Sequence, residues 1–178
     1  MEQKVNAWKA NLTNGLILGL IGVAYSLIMY FLDLTTKQSL GYFFIIIEIV
    51  VLYFLVKSYR DNYMHGMITY GQALGAGMII CVYYAIIAAI FGYILYAIID
   101  PGLIDKMLAL SEEQNLKRGM TQEQIDLSMR VTKKIMTPVF MTIMAVLGNI
   151  FFGLIISLIV AAFVRKEGNP LVDSSPNA

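Results

Sequence analysis

GQALGAGMIICVYYAIIAAIFGYILYAIID, residues Gly71 to Asp100, is the most apolar run in the chain and the one with the plainest instructions about neighbours. Stepping along it at helical spacing places Gly71, Gly75, Met78, Val82, Ala85, Ala89 and Gly92 on one face. A face of small residues lets a second helix approach closely. The run is long enough to cross a bilayer, which needs about 20 apolar residues. It predicts a membrane-spanning helix around which the rest of the chain packs.

The composition agrees with that reading. The 178 residues are 58% hydrophobic and 14% charged, and the mean hydropathy is +0.71; such a chain in water would leave large apolar faces uncovered. A net charge of +1, with the basic residues at helix ends rather than in a patch interleaved with aromatics, excludes a nucleic-acid footprint. The single cysteine, Cys81, lies inside the apolar run. It permits no intramolecular disulfide and reads as a small core or lipid-facing residue.

Working outward, residues 1–11 form a cytoplasmic lead-in with Trp8 as an interfacial anchor. Residues 12–32 are uncharged, too long for a signal-peptide apolar region and followed by no A-x-A-like cleavage site, so they are expected to be a retained first span. Gly15, Gly19, Gly22 and Ser26 share one face of it. A short polar turn from Asp33 to Gln38 leads to the second span, about 40–56, which closes at Lys57, Tyr59, Arg60 and Asp61. The third span, about 72–99, is preceded by Thr69-Tyr-Gly-Gln72, a T-x-x-Q capping box, and stops at Asp100-Pro101. Residues 100–137 are the one long hydrophilic segment. Leu103, Met107 and Leu110, then Ile125 and Met129, follow helical spacing, and Thr121 to Gln124 repeats the T-x-x-Q box. Two amphipathic helices broken near Arg118-Gly119 are expected, lying on the membrane surface, capping the helices or binding a partner. Thr137-Pro138 opens the fourth span, 138–164, as N-cap and first helical residue, with a stripe of Asn149, Gly153, Ser157 and Ala161. Residues 167–178 read as a flexible cytoplasmic tail.

The fold expected is therefore all-α and integral to the membrane: a single domain, residues 12–166, of four transmembrane helices packed as a bundle. An even number of spans puts both termini on one side. Lys4, Lys9, Lys57, Arg60, Arg165 and Lys166 fall there against Lys37 in the first opposite turn, so that side is cytoplasmic and the segment 100–137 periplasmic. Lipid removes the hydrophobic drive for helix association. Close contact along Gly15, Gly19 and Gly22, along Gly71, Gly75, Ala85, Ala89 and Gly92, and along Gly153 and Ser157 is expected to hold the helices together.

Glu48, near the middle of the second span, is the sharpest chemical signal. An acidic side chain at mid-bilayer costs about 2.5 to 3.5 kcal/mol on insertion scales, so it is expected to face the protein interior. Asn149 sits at matching depth in the fourth span and is the expected hydrogen-bond partner, with Tyr25 or Ser26 as substitutes. One reading makes Glu48 a proton-carrying or cation-binding carboxyl; the other makes it a protonated acid that glues helices by a hydrogen bond. His65, alone and in a connecting turn, reads as a surface histidine, which excludes bis-histidine haem ligation and argues against zinc. No phosphate loop, G-x-S-x-G, H-E-x-x-H or cysteine cluster occurs, so no metal, no cofactor and no enzyme acting alone is expected.

The order of Tyr59-Arg-Asp, Ile68-Thr-Tyr-Gly-Gln-Ala73, the stop Ile98-Ile-Asp-Pro101, the mixed-charge hydrophilic segment and Gly153-Leu-Ile-Ile-Ser-Leu-Ile-Val-Ala-Ala162 before a basic end resembles the bacterial inner-membrane domain-of-unknown-function family four-one-nine-nine. The resemblance covers nearly the whole chain and rests on turns and small-residue stripes. It implies four spans in a bacterial inner membrane, brings no catalytic residue to carry over, and implies a gene neighbourhood that includes a membrane-associated glycosyltransferase.

Three functional readings follow. The first is a structural or accessory subunit that binds a membrane-protein or lipid partner through its periplasmic helices or cytoplasmic ends. The second is a small proton-coupled transporter that works as a homo-oligomer around Glu48. The third is a non-catalytic partner of a glycosyltransferase of lipid-linked sugars, which would need polar residues converging at a membrane surface.

Overall fold

The computed structural model describes residues 6–167. The start of the expected lead-in and the expected tail from Gly168 onward lie outside the described residues. Within them the chain is all-helical, with α1 (Ala7–Phe31), α2 (Gln38–Tyr63), α3 (Tyr70–Ile94), α4 (Gly102–Lys117), α5 (Gln122–Ile135) and α6 (Pro138–Val164). A π-helical turn, Leu95–Ile99, prolongs α3. The helices Ala7–Phe31, Ser39–Tyr63, Tyr70–Ile99 and Pro138–Val164 are each long and apolar enough to cross a membrane. The chain is a multi-pass transmembrane protein.

Local chemistry sets the helix ends. The Asn6 side chain accepts from the Trp8 and Lys9 backbone N–H groups and starts α1, five residues ahead of the apolar run. Both T-x-x-Q segments are complete capping boxes. The Gln72 N–H donates to Thr69 Oγ1 and the Thr69 N–H to Gln72 Oε1. Thr121 and Gln124 repeat the arrangement at the start of α5. These exchanges satisfy donors that every helix N-terminus leaves unpaired. At the start of α6 the Phe140 N–H donates to Thr137 Oγ1. The α4–α5 turn is made by Gly119 at φ +75°, a left-handed conformation that suits a residue without Cβ.

Ala85–Gly148 forms one compact unit and the chain on either side of it forms another. In the flanking unit, segments of all four long helices meet. A Cβ on Gly15 of α1 would collide with the Cβ of Tyr83 in α3. A Cβ on Gly77 of α3 would lie 2.7 Å from Ser157 Oγ of α6, and one on Gly153 of α6 would lie 2.6 Å from the Cβ of Cys81. Backbone approach at these points requires glycine. Leu18, Leu52, Val56, Ile80, Cys81, Val160 and Ala161 fill the space between. At one end of this unit the Ile68 N–H donates to the Lys166 carbonyl (2.8 Å) and the Lys166 N–H to the Ile68 carbonyl (3.0 Å). Beside that bridge an Arg60 Nη1 donates to the Val164 carbonyl at 3.1 Å, which satisfies an orphan acceptor at the C-terminus of α6.

In the Ala85–Gly148 unit, Leu95, Leu103, Ile125 and Met129 are buried. Asn115 Nδ2 of α4 donates to Ser128 Oγ of α5 at 3.3 Å and ties the hairpin together.

Candidate functional site

The candidate site lies around Glu48, which α2 presents on the same face as Phe44 one turn earlier and Leu52 one turn later. Leu52 is fully buried and Glu48 only 6% exposed. The Phe44 ring stands between Tyr25 of α1, at a centroid distance of 4.9 Å, and Tyr84 of α3, at 6.2 Å. Gly22 of α1 makes room for Tyr84: a Cβ there would lie 2.6 Å from the ring. Glu48 lies within electrostatic range of Cys81 and Tyr84 of α3. Cys81 Sγ in turn lies 3.9 Å from both the Gly153 carbonyl and Ser157 Oγ. Cys81 therefore joins α3 to α6 through polar atoms.

The expected partners of Glu48 are arranged differently. Among the described residues no hydrogen bond joins Glu48 to Asn149, Tyr25 or Ser26. The Tyr25 hydroxyl donates instead to the Leu40 carbonyl at 2.7 Å, while Ser26 and Asn149 are half-buried. Depth along a span sets the height of a side chain and leaves its direction around the helix open.

Of the small residues singled out in the sequence, Gly15, Gly22, Gly153 and Ser157 make the close contacts described above, and Gly19, Ala85 and Ala89 are buried. Gly71 and Gly75 are exposed, with nothing within 4 Å of where a Cβ would stand. Gly92 is half-buried. The arc of α3 that packs within the flanking unit runs through Ala73, Ala76, Gly77, Ile80, Cys81 and Tyr84.

Two polar features escaped the sequence reading. Asn11 and Asn14 are buried in α1. Asn11 Nδ2 donates to the Ala7 carbonyl (3.0 Å), and Asn14 Nδ2 donates to Asn11 Oδ1 (3.1 Å) and the Leu55 carbonyl of α2 (3.4 Å). The signal was present as two asparagines three apart beside Gly15, a spacing that puts them on one helix face. The other is Arg60, whose acceptor lies 104 residues away and leaves no local signature. Among the described residues no three His, Cys, Asp or Glu side chains converge as a metal-ligand set.

Outside the spans, charge is concentrated on α4 and α5. Lys117 Nζ and Glu113 Oε1 pair at 2.6 Å. The hydrogen bond from Lys117, reinforced by its positive charge, holds the exposed Glu113 carboxyl below its ordinary range. One cleft of about 240 Å³ lies among Glu112, Asp126, Met129, Arg130 and Lys133. Another, of about 370 Å³, lies among Glu123, Asp126, Leu127 and Arg130.

The family model described as Protein of unknown function (DUF4199) matches residues 13–166. The chain belongs to this family. The match takes in all four long helices from Thr13 onward, Glu48, the α4–α5 hairpin and Lys166 of the Ile68 bridge, so the family domain and the described architecture coincide. It is also the family that the sequence motifs resemble. No curated protein and no solved structure matches the chain.

Proposed function

We propose that the chain is a non-catalytic structural or accessory subunit of the bacterial inner membrane, with both termini cytoplasmic and α4 and α5 forming an amphipathic periplasmic hairpin. The carrying observation is the division of its polar groups. In the spans, Asn14 and Tyr25 are spent on helix-to-helix bonds, and Ser157 is pressed against Gly77. On the hairpin, Glu112, Glu123, Asp126, Arg130 and Lys133 line open clefts. Solvated charge around a cleft suits a partner's polar rim. A glycosyltransferase of lipid-linked sugars is one partner this reading accommodates, through the gene neighbourhood that the family resemblance implies.

The test is purification of the tagged protein from its own membranes in mild detergent, with co-purifying proteins and lipids identified by mass spectrometry. A stoichiometric partner lost on Arg130→Glu with Lys133→Glu supports the reading. A clean homo-oligomer with no partner overturns it.

One observation favours the second reading, a small oligomeric proton-coupled transporter. Glu48 is a largely buried carboxyl within a span, a position of the kind that marks proton paths. In proteoliposomes, Glu48→Gln would abolish a pH-driven flux while leaving the oligomer intact. Absence of any such flux in the unaltered protein removes this reading.

A further inference from the structure

Helix α5 carries two apolar stripes, and α4 covers only one. Ile125 and Met129 are buried. Leu127, Val131 and Ile135 follow one another at four-residue spacing and are 65%, 57% and 43% exposed. At 3.6 residues per turn the centre of this outer stripe lies roughly 140° around the helix from the buried pair. Arg130 and Lys134, with Glu123 of the first turn between them, border one edge of the outer stripe, and Asp126 and Lys133 lie on the far side of the charged sector. From Leu127 to Ile135 the charged residues are Arg130, Lys133 and Lys134, all basic.

The chain itself says what lies next to this stripe. Only Met136 and Thr137 separate α5 from α6, so Ile135 is at most about 11 Å from Pro138 along the backbone. The outward residues of α6 immediately beyond, Val139, Ile143 and Leu147, are exposed apolar side chains of a transmembrane helix, and they belong to the same compact unit as α5. The outer stripe of α5 therefore ends within a few residues of an exposed apolar helix long and apolar enough to cross a membrane. A helix projecting along the membrane normal would carry Leu127 about 12 Å farther from the bilayer than Ile135 and leave an apolar residue standing in water for no gain.

We propose that α5 lies in the plane of the bilayer surface, with Leu127, Val131 and Ile135 at the headgroup–acyl boundary and Arg130 and Lys134 against the phosphates of anionic lipids. Apolar area set into the boundary and basic residues at headgroup level are the two sources of affinity of an interfacial helix. In this pose Lys133 and Asp126 turn to the water. The inference goes beyond the accessory reading and assigns Leu127 and Arg130 to lipid, which leaves Glu112, Asp126 and Lys133 of the first cleft for a partner.

The test uses the full-length protein in vesicles of phosphatidylethanolamine and phosphatidylglycerol. Leu127→Cys, Val131→Cys, Ile135→Cys and Lys133→Cys are each labelled with an environment-sensitive fluorophore. Cys81 is fully buried, and the unsubstituted protein serves as the labelling control. The expected result is equal quenching of the first three labels by brominated acyl chains, with shielding from aqueous iodide, and the reverse at position 133. Adding Lys134→Gln to the Val131→Cys protein is expected to shift the docked ratio about fivefold toward water, the effect of one basic residue at an anionic surface. Quenching that fades from position 135 to 127 overturns the proposal in favour of a projecting hairpin. Shielding from both quenchers overturns it in favour of a protein surface. No response to Lys134→Gln overturns the headgroup contact.

Discussion

Asn14 and Asn115 each donate a side-chain hydrogen bond to a neighbouring helix, Asn14 to the Leu55 carbonyl of α2 at 3.4 Å and Asn115 to Ser128 Oγ of α5 at 3.3 Å, and the two bonds do different work. Asn14 sits in a transmembrane helix, where lipid offers no alternative partner and the bond to α2 specifies which helix lies beside which. Asn115 sits between two helices outside the spans, where water competes and the buried Leu103, Ile125 and Met129 supply the stability. The contrast teaches that the flanking unit is held by close backbone approach and a few committed polar groups. The hairpin is held by the hydrophobic effect acting on a small apolar patch.

The largest expected effect tests the hairpin half of that contrast. Ile125→Ala should destabilise α4–α5 by about 3 kcal/mol, as a buried large-to-small change does. Hydrogen exchange should show α4 and α5 opening while α1 stays protected; equal loss in α1 would mean the two regions are not held separately. Gly15→Val comes next, at about 2 kcal/mol, because the new side chain meets the Cβ and ring of Tyr83 in α3. Its counterpart Gly75→Val, with open space around it, should change thermal stability in detergent by no more than about 0.5 kcal/mol. Equal effects at the two glycines would contradict the assignment of the packing arc. Asn14→Leu should cost about 1 kcal/mol, in the range measured for interhelical hydrogen bonds in membranes, read as a lowered midpoint in a denaturing-detergent titration.

The smallest effect is that of Glu113. Its pKa is depressed in the folded protein by Lys117, so its contribution is present above the unfolded carboxylate value and is lost as pH falls through the depressed one. Glu113→Gln should therefore lower stability slightly at neutral pH, leave it unchanged in acid and so flatten the acid limb of the profile, and salt should erase the difference because both groups are exposed. A difference that survives high salt would point to a less solvated pair.

Much of this architecture was legible in the sequence because its signals are local. The capping boxes at Thr69 and Thr121, the Thr137-Pro138 start and the Gly119 break all depend on residues within a turn of one another. The α1 and α6 glycines could be read because close approach needs the missing Cβ itself. The contact arc of α3 could not. A helix that is apolar all round shows no amphipathic face, and Gly71 and Gly75 are no different in kind from Gly77; only the position of Ser157 distinguishes them. The same reason hid the surroundings of Glu48. Its depth was readable from the length of the span, but its neighbours depend on how α2 is rotated against the other helices. The π-helical turn at Leu95–Ile99 has no sequence signature that we can identify, and nothing in the structure explains it.

The closure of Arg60 on Val164 also orders the protein's assembly in time. Residue 164 is synthesised 104 residues after residue 60, on the order of 10 s at usual elongation rates. Throughout that interval the guanidinium has its neighbour Asp61, at 2.7 Å in the finished fold, within reach to keep it company. When α6 arrives, its last carbonyl takes up the waiting donor and the Lys166 backbone pairs with Ile68. A chain that stops short of α6 therefore leaves the Arg60 donor and the Ile68 backbone groups without these partners.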